Sequence, residues 1–284
     1  MDLLMTYVVE PFSFEFMQRA LLMSILIGMV CSIFSCFLIL RGWALMGDAV
    51  SHAILPGLAL AYLAGIPLLI GAFISGLVCA LSTGYIKENS RVKEDAVMGI
   101  VFSGMFAFGL VLITRIETDI HLMHVLFGNI LGIQSYDLIE AGSIAVLCSV
   151  IMLVKRRDLM LYCFDPVQAS LAGLPVKVLH FGLLILLAMT IVSALKAAGI
   201  ILVIAMLIAP GAIGFLTTKR FDHMLIVAMS VSVLSCISGT LLSFHLDAAT
   251  APLIVVIQAC LFVLAFIMGG RHPLWIKKEM AHGR

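Results

Sequence analysis

Two side chains that bind metal ions in many proteins stand four residues apart, Asp48 and His52 in Gly47–His52. In an α-helix this spacing places both on one face, one turn apart. A carboxylate oxygen and an imidazole nitrogen together suit Mn²⁺, Fe²⁺ or Zn²⁺. One pair supplies two ligands, so a two-fold dimer would supply four. The alternative is structural: Asp48 caps a helix that starts at Ala49, and His52 hydrogen-bonds to it.

Two further groups of residues are weaker candidates for contact with an ion. His121 and His124 are three residues apart, and His245 lies close to Asp247. A solvated loop is the simpler interpretation of both groups, because charged side chains are usual in loops.

A proline lies inside one of the long apolar stretches of the sequence. Pro210 falls inside the run 197–217, where it removes a helical hydrogen bond. Transporters use broken helices of this kind to expose backbone groups to a substrate. An ordinary kink of a membrane helix is the alternative.

A polar segment between two apolar runs carries the signals of a short helix. Asp165 is suited to the N-cap, Pro166 to the first helical position and Gly173 to the C-terminal stop. An apolar stripe that includes Leu171 could dock into a groove on a partner. The alternative is a helix lying on the membrane surface.

The composition indicates what kind of protein positions these residues. Hydrophobic residues make up 63% of the 284 and charged residues 12%, about half the proportion in a soluble domain, which excludes a soluble enzyme. The sequence contains long apolar runs, which lack the alternation of polar and apolar residues seen in the strands of membrane barrels. They therefore predict an all-α integral membrane protein, a polytopic bundle of about 8–9 transmembrane helices. The apolar runs are 18–40, 49–64, 66–86, 96–114, 138–154, 178–195, 197–217, 222–243 and 250–268.

The distribution of lysine and arginine predicts the orientation, because cytoplasmic loops are rich in both. The basic loops alternate correctly if all are cytoplasmic, together with a cytoplasmic tail, 271–284. Residues 1–17 form an N-terminal segment, and 18–270 form one transmembrane domain. Nine complete spans would place the N-terminus outside. A re-entrant segment within 42–64 would place it inside.

Several functions are disfavoured by what the sequence lacks. It has no GxxxxGK[ST] phosphate loop, so ATP-driven transport would need a separate ATPase polypeptide. The net charge of +1 gives no sign of nucleic-acid binding. The seven cysteines include no CxxC pair and are expected to be buried, free thiols.

Longer stretches carry a resemblance to a known family. The segment 40–57, LRGWALMGDAVSHAILPG, resembles the permease subunits of the metal-ion ABC importers, the ABC-3 family, which serve manganese, zinc and ferrous iron. The D-x-x-x-H motif within it is intact and quite specific. The resemblance covers nearly the whole chain, with supporting segments at 94–103, 126–131, 205–212 and 241–247.

The resemblance implies a type II importer fold in a bacterial inner membrane. A second permease, identical or a sister protein, would complete the pore, two ATPase subunits would bind below it, and an extracytoplasmic binding protein would deliver the ion. Asp48 and His52 would meet the transported metal, and no permanently bound cofactor is expected. Helix 165–174 would be the coupling helix, which contacts the ATPase through Asp165, Pro166, Gln168, Ala172 and Gly173.

Three other functions stay open on the sequence alone. A type II importer for a larger chelate, such as cobalamin or a siderophore, shares the architecture but does not require an intramembrane Asp–His pair. A secondary transporter would work alone on an ion gradient. A third possibility is a membrane subunit that only anchors its partners.

Overall fold

The computed structural model describes residues 13–115 and 132–269, and its regular structure there is almost entirely α-helical. This confirms the predicted all-α class. The helices are α1 (Glu15–Arg41), α2 (Met46–Ala53), α3 (Leu55–Ala64), α4 (Leu68–Asn89), α5 (Glu94–Ile113), α6 (Ser135–Val154), α7 (Arg156–Phe164), α8 (Pro166–Leu171), α9 (Val176–Thr217), α10 (Phe221–Leu246) and α11 (Thr250–Gly269).

The described helices provide nine candidate membrane spans, the upper value predicted from the sequence. Helices α2 and α3 together make one of them, Met46–Ala64. Helix α9 makes two, because its 42 residues would extend about 63 Å as a straight helix, twice the thickness of a bilayer core. Its halves are separated at Gly199, whose φ of 76° favours glycine.

Contacts between α1 and α10 fix the direction of α1. Near the start of α1, the Phe14 ring lies 5.9 Å from that of Phe244, close to the end of α10. Phe37, one turn before the end of α1, lies 5.0 Å from Phe221, the first residue of α10. Because a basic pair precedes Phe221, the Arg41 end of α1 faces the cytoplasm. The structure therefore favours nine complete spans over a re-entrant early segment.

Helix α1 lies in the core, packed against α6, α9 and α10. Its side chains Phe34 and Phe37 are fully buried. All seven cysteines are free thiols, as predicted, and six of them are buried, whereas Cys260 is exposed on α11.

Candidate metal site

Helix α2 holds both residues of the Asp48–His52 pair, but it begins earlier than expected. The helix starts at Met46 and its N-cap is Leu45, so Asp48 lies inside the first turn. The interpretation of Asp48 as the N-cap is therefore wrong. In the first turn its carboxylate still faces the positive end of the helix dipole, which favours a negative charge.

The structure brings the two side chains together on one face of α2, as the spacing predicts. His52 Nε2 lies 3.3 Å from Asp48 Oδ1, and about one third of each side chain is exposed (33% and 34%). The opposite face of α2 is buried. The rings of Phe106 and Phe102 on α5 lie 5.3 and 6.2 Å from the imidazole, so the pair has an apolar wall on one side and open space on another.

The pair lies at about mid-height in the membrane. A carbon added at Gly47 would lie 2.7 Å from Leu207 Cδ1, so the start of α2 packs directly on Leu207. Leu207 is the middle residue of the span Ala197–Thr217. An aspartate facing lipid at this depth costs about 2.5–3.5 kcal/mol. The partial exposure of Asp48 therefore indicates a face turned toward water or another subunit.

The helix breaks immediately after the pair. Pro56 has no N–H to donate to the carbonyl of His52, and α2 gives way to α3 at Ile54. Ile54 keeps helical dihedral angles, so α2 and α3 remain parts of one span, Met46–Ala64. Helix α5 packs tightly on the break, since a carbon added at Gly109 would lie 2.7 Å from Pro56 N.

Pro210 does not break its helix, so of the two interpretations of this proline the broken helix does not hold. Helix α9 continues through it, and α1 supplies hydrogen bonds to the neighbouring backbone. The Ser35 hydroxyl donates to the carbonyl of Ile208 (3.1 Å) and accepts from the N–H of Gly211 (2.9 Å). The backbone beside Pro210 is therefore satisfied within the protein. The break in α9 lies at Gly199, three residues after position 196, where the boundary between the apolar runs 178–195 and 197–217 predicts a turn.

Of the weaker candidates, only His245 and Asp247 fall among the described residues, away from this pair. His245 and Asp247 lie at the outer end of α10, exposed, with Asp247 in the left-handed conformation that ends the helix. His121 and His124 lie outside the described residues. Within 13–115 and 132–269, three or more His, Cys, Asp or Glu side chains nowhere cluster closely enough to hold an ion. Asp48 and His52 thus provide two ligands per protomer.

The short cytoplasmic helix forms with the predicted caps. Asp165 Oδ1 accepts the N–H groups of Val167 (2.9 Å) and Gln168 (3.0 Å), which makes Asp165 the N-cap of α8. Gly173 has φ 78° just after the C-cap, Ala172. The helix, Pro166–Leu171, is shorter than the predicted 165–174. It carries two strongly exposed apolar side chains, Val167 (70%) and Leu171 (84%).

Sequence reasoning missed a cluster of side chains that links α7 to the membrane helices α1 and α9. The Arg41 guanidinium lies 5.0 Å from the ring of Tyr162 on α7 and 5.4 Å from the ring of Trp43. The Tyr162 hydroxyl lies 2.7 Å from His180 Nδ1 on α9. These contacts join the end of α1 to α7 and α9. The signal in the sequence was Trp43, an aromatic residue two positions after Arg41. The other members of the cluster, Tyr162 and His180, are more than 100 residues further along the chain.

A buried thiol in α7 gives a test of this packing. Burial raises the pKa of Cys163 to about 12, and the nearby Arg41 guanidinium lowers it only in part. At pH 8, about one Cys163 side chain in 10⁴ is then in the reactive thiolate form. In a protein that keeps Cys163 as its single cysteine, we expect maleimide labelling at least about 100-fold slower than at Ser170→Cys, placed on exposed α8. Equal rates would show that α7 does not pack as described.

Known proteins are similar to this chain along almost its whole length. Residues 13–269 match the model of the ABC 3 transport family. YfeD, a chelated iron transport system membrane protein of Yersinia pestis, is 60% identical over 278 residues, which cover 98% of this chain and 94% of YfeD. MntB, a manganese transport system membrane protein of Synechocystis sp., is 52% identical over 280 residues, which cover 96% and 90%.

A solved structure has the same fold. PsaBC from Streptococcus pneumoniae, determined in complex with Fab, contains a chain that aligns with a TM-score of 0.79 at 34% identity. The alignment covers 92% of this chain and 94% of the other.

Proposed function

The chain belongs to the ABC 3 transport family, and from that premise we propose that it is the permease subunit of an importer for a divalent transition metal ion. The cargo is manganese or iron, as the names of YfeD and MntB suggest. Zinc is the third ion that the same ligand types bind. The observation that carries the proposal is the partly exposed Asp48–His52 pair at mid-membrane height.

The pair suits an ion that must be held and then released. Two protomers related by a two-fold axis would present two carboxylates and two imidazoles, four mixed ligands that replace part of the ion's hydration shell. A second permease, identical or a sister protein, is therefore part of the proposed assembly. An extracytoplasmic binding protein delivers the ion at the outer ends of the helices, and ATPase subunits drive the change of access.

Helix α8 is the proposed contact with the ATPase. Its exposed Leu171 would be buried in a groove on the partner, which contributes about 1.5–3 kcal/mol. We expect Leu171→Glu to reduce co-purification of the ATPase at least tenfold, with the membrane bundle intact. Val92→Glu, an exposed apolar position in another cytoplasmic loop, is the matched control and should retain the ATPase. Normal ATPase recovery with Leu171→Glu would exclude α8 as the contact.

The function is tested by cellular metal content in a metal-starved bacterial host that lacks its own high-affinity importers. The host expresses the ATPase, the binding protein and any sister permease, with or without this chain. A rise in manganese, iron or zinc only when the chain is present supports the proposal, and the element that rises identifies the cargo. A rise without the ATPase would indicate a gradient-driven transporter instead. An unchanged metal content would contradict the proposal.

A second candidate cargo is iron held in a chelate, because YfeD is named as part of a chelated iron transport system. It is tested in the same cells by supplying radioactive iron either as free Fe²⁺ or as a ferric chelate. Uptake of the chelate that excess free Mn²⁺ or Fe²⁺ does not reduce would favour this second cargo.

A further inference from the structure

A cavity of about 280 Å³ opens at the cytoplasmic end of the bundle, separate from the Asp48–His52 pair. It lies where α1, α4, α7, α8 and α9 meet. The residues that matter for its chemistry are Arg41, Lys87, Tyr162, Pro166, Lys177 and His180.

The lining of this cavity is positively charged. Arg41, Lys87 and Lys177 all line it, and none of the described residues in its lining carries a carboxylate. Within the described part of the chain, none of the three forms a salt bridge. Lys87 Nζ donates to the carbonyl of Val92 (3.3 Å), a neutral acceptor that leaves its charge uncompensated.

Arg41 is the best-positioned of the three for an anion. The rings of Tyr162 and Trp43 hold its guanidinium plane. Its Nε is buried and has no hydrogen-bond partner among the described residues. A buried donor without an acceptor is costly, and an anion in the cavity would supply the acceptor. Arginine held in this way is well suited to phosphate oxygens.

The height of the cavity indicates where the anion comes from. Arg41 ends α1, Lys87 is in the last turn of α4, and Lys177 is in the first turn of α9. All three therefore lie at the cytoplasmic level of lipid headgroups. Basic pockets between transmembrane helices at this level bind anionic headgroups. We propose that this cavity binds a phosphate group, supplied by an anionic phospholipid of the inner leaflet.

A lipid headgroup in this cavity would lie between several helices. A carbon added at Gly84 would lie 2.9 Å from His180 Nε2, so α4 and α9 are in close contact along one wall. Pro166, the first residue of α8, forms part of another wall. A bound headgroup would therefore link the ends of the membrane helices to the start of α8. The binding itself does not depend on which ion the protein transports.

The test is binding of short-chain lipids to the full-length purified chain in detergent, measured by native mass spectrometry. The probes are dioctanoyl phosphatidylglycerol, dioctanoyl phosphatidylcholine and inorganic phosphate. We expect phosphatidylglycerol to bind, and Lys87→Gln/Lys177→Gln to weaken it at least tenfold. Lys219→Gln/Arg220→Gln removes two charges from the same face outside the cavity and should leave binding unchanged. If the double variant at the cavity fails to fold, Lys177→Gln alone gives the same comparison.

Each outcome decides the proposal. If phosphatidylglycerol binds and inorganic phosphate does not, the lipid is the source of the phosphate group. Binding of both, with the same loss in the cavity variant, identifies a phosphate site open to a free anion. Equal binding of phosphatidylcholine, equal loss in the control variant, or no binding of any probe would overturn the proposal.

Discussion

Replacing His52 with glutamine or Asp48 with asparagine is expected to lower metal uptake at least about tenfold, with the protein still folded. Each change keeps the size and polarity of the side chain but removes the imidazole or the charge. Each substitution alters two of four ligands in a dimer of identical permeases and one of four beside a sister permease, and a tenfold loss corresponds to only about 1.4 kcal/mol. Folding should tolerate both changes, because each side chain is one third exposed.

The measurement is cellular metal content at equal membrane abundance of each variant. His223→Gln and Asp158→Asn provide matched controls, because both residues lie in cytoplasmic helix starts away from the pair. The controls should accumulate metal like the unaltered protein. If the variants at Asp48 and His52 also do so, the pair has a structural role and the ion passes elsewhere.

Gly57→Val is expected to have the largest effect on folding. Gly57 on α3 and Gly71 on α4 pack backbone against backbone, so a side chain at either position would overlap the carbonyl of the other. Small residues allow this close approach between membrane helices. The Ser75 hydroxyl continues the contact by donating to the carbonyl of Ala53 (2.6 Å), next to His52. Separating α3 from α4 would therefore also disturb the metal site.

Overpacking a core typically costs about 1–3 kcal/mol, and here the clash is with a rigid backbone, so we expect about 3 kcal/mol or more. The result should be loss of most of the folded protein, measured as the monodisperse fraction in mild detergent and its melting temperature. Gly182→Val, in α9, is the control, because an added carbon there meets nothing within 4 Å. Similar melting temperatures for both variants would contradict the described contact between α3 and α4.

The spans and the pairing of Asp48 with His52 were predictable because both depend on local properties. A run of about 20 apolar residues predicts a membrane helix wherever it lies in the chain. Residues four apart share a helix face whatever surrounds them. The caps of α8 were also predictable, since Asp165 and Gly173 act on backbone groups only a few residues away.

What could not be predicted depends on contacts distant in sequence. The sequence left open whether Pro210 breaks its helix or only kinks it, because the Ser35 hydroxyl, which bonds the backbone beside it, is about 175 residues away in the chain. The break at Gly199, by contrast, lies within three residues of the boundary that the apolar runs 178–195 and 197–217 predict. The contact of Arg41 with Tyr162 likewise depends on how α1 meets α7. Local patterns do not predict such contacts.

The most direct test of the central claim is ATP-driven uptake by proteoliposomes that hold the assembled transporter and its binding protein. Radioactive manganese or iron is supplied either as the free divalent ion or, for iron, as a ferric siderophore. We predict ATP-dependent accumulation of the free ion, lost in a double Asp48→Asn/His52→Gln variant. Accumulation of the siderophore alone, or equal accumulation of the free ion by the double variant, would contradict the proposal that this pair carries a metal ion across the membrane.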